Sequence, residues 1–147
     1  MRPVLYVDDD KDDVFFMHHA WEQLAIPNSL VDVADGQAAI DYLAGNGPFA
    51  NRQKYPLPCL LLLDLNMPVK NGFEVLQWIR RHPNFKTLPV VIVSGSNQPS
   101  DVAAAKQLGI TDYLVKPAGP AALIEILRVR KDRWLSDHCG VPFGGGS

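Results

Sequence analysis

Polar side chains that could accept or bind a phosphoryl group follow four short apolar runs of the chain. Each stands where its run ends: Asp8 and Asp9 after residues 4–7, Asp64 after 59–63, Ser94 after 90–93, and Lys116 after 113–115. If these runs are neighbouring strands of one parallel sheet, the polar groups meet at its carboxyl edge, where such sheets bind ligands. The sequence therefore predicts several carboxylates beside one hydroxyl and one amine.

Carboxylates brought together in this way repel one another. Two unit charges about 4 Å apart cost about 4 kcal/mol at an effective dielectric constant of 20. Protonation of one carboxyl, with a raised pKa, would offset this repulsion, and so would a divalent cation. Oxygen ligands drawn from few side chains suit Mg²⁺, which keeps several of its waters. The sequence does not decide between protonation and a bound cation. Lys116 adds a further positive charge in either case.

An aspartate held on Mg²⁺ beside a lysine is a plausible nucleophile toward phosphorus. The metal and the Lys116 ammonium would spread the charge on the transferring oxygens. The hydroxyl of Ser94 can donate a hydrogen bond to one phosphoryl oxygen, and Gly95 leaves room for the group. The pattern predicts a phosphoryl-acceptor site centred on Asp64.

Strand-like and helix-like segments alternate about five times along the chain. Predicted strands are residues 4–7, 30–34, 59–63, 90–93 and 113–115. Predicted helices are residues 11–25, 37–43, 72–81, 100–108 and 120–134. Such alternation predicts an α/β fold with a parallel sheet covered on both faces. The candidate is a doubly wound, flavodoxin-like (βα)5 sheet with strand order 2-1-3-4-5, although sequence alone does not fix that order.

Composition indicates one ordinary globular domain. The 147 residues are 47% hydrophobic and 20% charged, with a net charge of −2 that offers no general attraction to nucleic acid or anionic lipid. We expect one domain over residues 1–147, with a core at about 3–134 and a tail at 135–147. No signal peptide or membrane span is recognisable, so we expect a cytoplasmic protein.

The two cysteines do not predict a disulfide. Cys59 lies in an apolar run and is expected to be a small buried hydrophobe, whereas Cys139 lies in the polar tail. Two cysteines in a chain of this size do not form a disulfide framework.

Four motifs, in order, resemble the receiver domain of response regulators in two-component signalling. They are Val7-Asp8-Asp9, Leu63-Asp64-Leu65-Asn66-Met67-Pro68 with Gly72, Val93-Ser94-Gly95, and Tyr113-Leu114-Val115-Lys116-Pro117. One such motif alone would be weak evidence for the family, but four motifs in order at the predicted strand ends are specific to it. The resemblance covers about residues 3–134.

The resemblance implies a role for each matching residue. Asp64 would be phosphorylated, Asp9 would bind Mg²⁺ directly, and Asp8 would bind it through water. The remaining roles are as follows: the Asn66 backbone carbonyl as a metal ligand, Ser94 and Tyr113 as the switch pair, and Lys116 as the phosphoryl contact, with a cis Lys116–Pro117 bond.

A narrower resemblance concerns partners. The insertion at residues 46–57, the 64–68 run and the Trp134-Leu135 ending with Pro142 resemble small regulators paired with bacterial and cyanobacterial phytochromes. The implied phosphodonor is a sensor histidine kinase, with a phytochrome kinase as the candidate.

Output would pass through the face formed by the fourth helix, the fifth strand and the fifth helix. A homodimer through the last strand and helix is a hypothesis based on the apolar Trp134-Leu135 end. The final Gly-Gly-Gly-Ser is read as a flexible end or an expression remnant.

Other interpretations fit less well. A haloacid-dehalogenase-like phosphohydrolase needs a second Asp where this chain has Asn66, and a flavodoxin-like cofactor binder would not place three Asp residues after its first strand. A degenerate receiver used only for docking would not need every residue of the site. Asp10, Asp12 and Asp13 are expected to be helix-start acids, favoured by the helix dipole.

Overall fold

Five strands and five helices alternate along the chain in a computed structural model that describes residues 1–67 and 69–139. The strands are β1 (Val4–Val7), β2 (Leu30–Val33), β3 (Leu60–Leu63), β4 (Val90–Ser94) and β5 (Asp112–Val115). The helices are α1 (Lys11–Gln23), α2 (Gly36–Ala44), α3 (Gly72–Arg81), α4 (Pro99–Gln107) and α5 (Pro120–His138), with a 3-10 turn at Gly47–Phe49. Most predicted elements are confirmed to within one or two residues at each end.

The sheet is parallel throughout and has the order β2-β1-β3-β4-β5. The predicted fold class and strand order are therefore confirmed. β1 and β3 lie side by side at the centre, with Val7 opposite Leu63. The residues that follow these two strands are Asp8 and Asp64, so the register brings both carboxylates to the same edge.

Apolar side chains cover both faces of the sheet. One core cluster joins alternate residues of β1, β3 and β4 to α1 and α5, and it contains Met17, Trp21 and Leu127. The other joins the opposite faces of those strands to α2 and α3, and it contains Leu43 and Ile79. Two-sided burial explains why β1, β3 and β4 are continuously apolar. These strands form a rigid support for the polar groups at their ends.

Helix α5 continues beyond its predicted end at Trp134 and reaches His138. Trp134 and Leu135 are 3% and 2% exposed, and they pack in the core cluster with α1. Their apolar character is thus accounted for by packing within the chain. The observation that motivated the homodimer hypothesis no longer supports it.

The longer α5 also brings the two cysteines together, so the prediction of no disulfide is wrong. Cys139 follows α5 directly and forms a disulfide with Cys59, with Cα atoms 5.3 Å apart. Cys59 itself is buried beside the start of β3, as predicted. Sequence reasoning failed because it ended α5 too early and left Cys139 in a tail. The bridge attaches the end of α5 to the sheet.

Reduction of this disulfide is expected to lower the free energy of unfolding by about 2–5 kcal/mol, because the bridge closes a long loop in the unfolded chain. The bonded residues are 80 positions apart. Thermal unfolding with and without a phosphine reductant measures the difference. The Cys139→Ser variant should melt at the reduced temperature in both conditions. Equal melting of the oxidised and reduced wild type would contradict the expectation.

Among residues 1–67 and 69–139, no helix combines the length and the apolar character needed to cross a membrane. The predicted tail is helical as far as His138, and its last eight residues, 140–147, lie outside the described part of the chain.

Candidate functional site

Two buried carboxylates stand side by side at the carboxyl edge of the sheet. Asp8 is 1% exposed and Asp64 is 3% exposed. The Asp64 backbone amide donates to the carbonyl of Val7 at 3.0 Å, which continues the β1–β3 ladder by one step. The strand pairing therefore fixes the backbones of both acids. Asp9, the next residue, is exposed at the same edge.

The ammonium of Lys116 compensates this negative charge. Its Nζ lies 2.8 Å from Asp8 Oδ2, 2.8 Å from Asp13 Oδ2 and 3.2 Å from Asp64 Oδ2. The Lys116 backbone amide donates to the Ser94 carbonyl at 2.7 Å, which holds the residue against β4. One cation thus contacts three carboxylates, and the group keeps an excess of negative charge.

Burial and charge shift the pKa values at this site. Burial raises the pKa of Asp64 above its ordinary value, and the charge of Asp8 adds to this, although Lys116 and the Asn66 amide act in the opposite direction. Burial alone would lower the pKa of Lys116, but hydrogen bonds to Asp13 and Asp8 and the charge of Asp64 raise it above its ordinary value. Lys116 therefore stays protonated while Asp64 resists ionisation.

The donor set suits a hard divalent cation. Asp8, Asp9 and Asp64 each offer a carboxylate oxygen, and these oxygens lie within 4.8 Å of one another. Oxygen donors with excess negative charge and one exposed member fit Mg²⁺, which retains waters on its open side. Asn66 is exposed beside them, and its backbone amide donates to Asp64 Oδ1 at 3.3 Å. The role of the Asn66 carbonyl as a metal ligand stays a prediction.

The predicted switch pair lies on neighbouring strands. Ser94 is fully buried at the end of β4, and its Oγ accepts a hydrogen bond from the Ser96 amide at 3.2 Å. Tyr113 on β5 is partly buried, and its hydroxyl donates to the Ser96 carbonyl at 2.8 Å. Ser96 therefore links the Ser94 hydroxyl at the end of β4 to the aromatic ring on β5.

Sequence reasoning missed two residues of the site. Asp13, expected to be only a helix-start acid, is bonded to Lys116. Asp10 does have the predicted role at the start of the helix, because its side chain accepts hydrogen bonds from the backbone amides of Asp12 and Asp13. The second missed residue is Tyr6, whose hydroxyl donates to Asp8 Oδ2 at 2.6 Å. Residues i and i+2 of a strand share a face, and this rule could have identified Tyr6.

The prediction of a cis peptide bond at Lys116–Pro117 is wrong. No cis peptide bond occurs in the part of the chain that the structure describes, and this bond is trans. The trans form of an X–Pro bond is favoured by about 0.5–1 kcal/mol unless its surroundings select cis. Lys116 reaches all three carboxylates from the trans backbone.

Replacement of Asp64 by asparagine is expected to raise the free energy of unfolding at neutral pH, and with it the melting temperature. The raised pKa of Asp64 means that the folded state holds its proton more tightly than the unfolded state. Wild-type stability therefore falls as pH rises from the ordinary value of 3.8 through the folded-state pKa. Asparagine does not ionise, so the variant does not lose stability over this pH range. The variant should therefore be more stable than the wild type above the folded-state pKa of Asp64, and it should have no such advantage below pH 3.8.

Thermal unfolding of the wild type and the Asp64→Asn variant, without divalent ions, at about pH 3.5 and about pH 7.5, measures this effect. A variant less stable than the wild type at the higher pH would contradict the assignment of Asp64 as a carboxylate held at a cost in free energy.

Comparison with known proteins gives a consistent result. The family model for the response regulator receiver domain matches residues 4–128. Response regulator Rcp1 of Synechocystis is 34% identical over 134 residues, which are 91% of this chain and 89% of that protein. A probable methanogenesis regulatory protein, FilR2 of Methanothrix harundinacea, is 31% identical and covers 90% of this chain and 83% of its own.

Solved structures give the same picture. The phosphorylated cyanobacterial phytochrome response regulator RcpA superimposes with a TM-score of 0.84 at 34% identity, covering 92% of this chain and 95% of its own. The Mn²⁺-bound form of Rcp1 gives a TM-score of 0.82 at 32% identity, with coverage of 92% and 95%. A response regulator in red light signalling of R. palustris gives 0.79 at 33% identity, with coverage of 86% and 90%.

Proposed function

The chain belongs to the response regulator receiver domain family, and we propose that it works as a single-domain response regulator in a two-component phosphorelay, accepting a phosphoryl group on Asp64. The observation that carries this proposal is the contact of Lys116 with three carboxylates, one of which is Asp64, at the carboxyl edge of the sheet. Phosphorylation on aspartate and Mg²⁺ binding are general in this family. The assignment to these residues is our proposal.

The reaction is a transfer between two nucleophiles. An Asp64 carboxylate oxygen attacks the phosphorus of a phosphohistidine, the P–O bond forms, and the P–N bond breaks with its electrons going to the imidazole. Asp9 and Asp64 would hold Mg²⁺ with the Asn66 carbonyl, and Asp8 through water. When bound, Mg²⁺ supplies positive charge to the transferring phosphoryl oxygens. Lys116 adds a second positive charge, and Ser94 donates a hydrogen bond.

Attachment of the phosphoryl group changes what Lys116 and Ser94 bind. The new group carries about −1.5 to −2 charges and strong acceptor oxygens. Lys116 exchanges a carboxylate for a phosphoryl oxygen, and Ser94 turns from the Ser96 amide toward the same group. Loss of the Ser94–Ser96 contact weakens the hold on the Tyr113 hydroxyl. Tyr113 then turns inward and alters the α4-β5-α5 face, which shifts a population between two states.

A sensor histidine kinase is the proposed phosphodonor. A structural relative named as a phytochrome response regulator and another named for red light signalling support a phytochrome kinase as the candidate. We propose a cytoplasmic location, with the site acting as a switch and without turnover of external substrates. Output would pass to another protein and involve neither nucleic acid nor membrane.

A homodimer through β5 and α5 is a second form of output. Val115 and Val129, which lie on these two elements, are 41% and 68% exposed. Light scattering with and without a phosphoryl analogue tests this possibility, and a monomer under both conditions would remove it.

Incubation with acetyl phosphate and Mg²⁺ tests the proposed function. We expect the intact mass to increase by one phosphoryl group, only when Mg²⁺ is present and only in the chain that keeps Asp64. The Asp41→Asn variant is a matched control, since Asp41 is a carboxylate on α2 outside the site. No adduct from a folded wild type would contradict the proposal and favour a docking module.

A further inference from the structure

A buried phenol contacts the acidic site from inside the core. Tyr6 is 1% exposed and belongs to the cluster that joins the sheet to α1 and α5. Asp8 directly follows β1, and it lies on the same face as Tyr6 because the two residues are two positions apart. The Tyr6 hydroxyl donates to Asp8 Oδ2 at 2.6 Å. The proposed function assigns no role to this phenol.

The oxygen that Tyr6 contacts is also the one that Lys116 contacts. Lys116 Nζ lies 2.8 Å from Asp8 Oδ2, while Asp8 Oδ1 accepts the backbone amide of Asp10 at 2.9 Å. Three donors therefore fix the plane of the Asp8 carboxylate. Of these, the ammonium is on a flexible side chain that also contacts Asp13 and Asp64, whereas the phenol is on a ring enclosed by the core.

We propose that Tyr6 is a positioning residue for the Mg²⁺ site, holding the Asp8 carboxylate in place within the acidic cluster that binds the ion. This inference rests on the proposed function. A carboxylate beside a metal site is oriented by its own hydrogen-bond partners, and loss of such a partner typically weakens metal binding by 10- to 100-fold. Without the phenol, Asp8 Oδ2 would keep only the Lys116 ammonium, which Asp13 and Asp64 also contact.

The Tyr6→Phe variant removes one oxygen atom and keeps the ring. We expect its Mg²⁺ dissociation constant, measured by calorimetry, to rise roughly tenfold. We also expect the Mg²⁺ concentration for half-maximal phosphorylation to rise similarly, with little change in the rate at saturating Mg²⁺. A role confined to folding would lower the melting temperature without Mg²⁺ and leave the dissociation constant unchanged.

The matched control is Tyr42→Phe. Tyr42 is another fully buried tyrosine, and its hydroxyl donates to the Pro56 carbonyl at 2.8 Å, away from the site. Its loss should leave Mg²⁺ affinity at the wild-type value. Tyr6→Leu is a second hydroxyl-free variant, and it should show the same rise in the Mg²⁺ dissociation constant.

A double-mutant cycle tests the route of the effect. In an Asp8→Ala background, Tyr6→Phe should weaken Mg²⁺ binding no further, because the carboxylate that it positions is absent. An additional tenfold loss in that background would overturn the inference. Equal affinities of wild type and Tyr6→Phe, or equal losses in Tyr6→Phe and Tyr42→Phe, would also overturn it. A wild type that binds no Mg²⁺ would overturn the metal site of the proposed function itself.

Discussion

Replacement of Lys116 by methionine is expected to slow phosphorylation of Asp64 at least about a hundredfold, the usual cost of removing one group that stabilises transition-state charge. It should also lower the free energy of unfolding by about 3 kcal/mol or more, because three carboxylates lose their shared cation. Those contacts run to Asp8, Asp13 and Asp64. Acetyl phosphate labelling and thermal unfolding measure the two effects.

Lys131→Met is the control for this change. Its side chain is 16% exposed, close to the 19% of Lys116, and it pairs with Asp132 on α5. We expect wild-type labelling and a small change in stability. Saturating Mg²⁺ should restore part of the stability of Lys116→Met, because the ion brings positive charge to the same carboxylates. Wild-type labelling of Lys116→Met would contradict the assigned role of the ammonium.

Replacement of Gly72 by alanine is expected to destabilise the protein by at least about 3 kcal/mol, at the upper end for overpacking. A methyl group at this first residue of α3 would overlap the backbone oxygen of Asp64 and lie 2.7 Å from the Leu65 Cα atom. Backbone atoms cannot move aside by changing a rotamer. The clash would therefore shift either α3 or the peptide that carries Asp64, and the melting temperature should fall by roughly 10 °C.

Gly95→Ala is the control for the glycine substitution. A methyl group at Gly95 has no neighbour within 4 Å, so we expect nearly wild-type stability. Phosphorylation of Gly72→Ala at a temperature where it is still folded should also be slower, since Asp64 would be displaced. A Gly72→Ala variant as stable as Gly95→Ala would contradict the close approach of α3 to the site.

Local signals in the sequence were sufficient to predict most of the fold. Helix α3 begins and ends where the sequence predicted, because Asn71 and Glu74 form a capping box ahead of an amphipathic run. Helix α5 extends beyond the end that the sequence predicted. The residues after Trp134 lack a clear apolar spacing, although Leu135 is buried against the core. That error hid the disulfide, which depends on where the helix ends in space.

The site was predictable where residues follow strands and less so where they project from a helix or from inside the core. Strand pairing alone brings Asp8, Asp64 and Lys116 to one edge. Which acid of the first turn of α1 faces Lys116 depends on the rotation of the helix, so Asp13 could not be separated from Asp12. The i, i+2 spacing of Tyr6 and Asp8 identifies Tyr6 as a candidate on the same face, but only packing in the core determines that its hydroxyl reaches the Asp8 carboxylate.

The most direct test is to locate the acyl phosphate on the chain. The protein would be phosphorylated with acetyl phosphate and Mg²⁺, reduced with borohydride to convert the acyl phosphate to an alcohol, digested, and mapped by mass spectrometry. We expect the reduced residue to be Asp64 alone, with no modification when Mg²⁺ is withheld. Modification at Asp8, Asp9 or Asp13 instead, or a folded protein with no modification, would contradict the account.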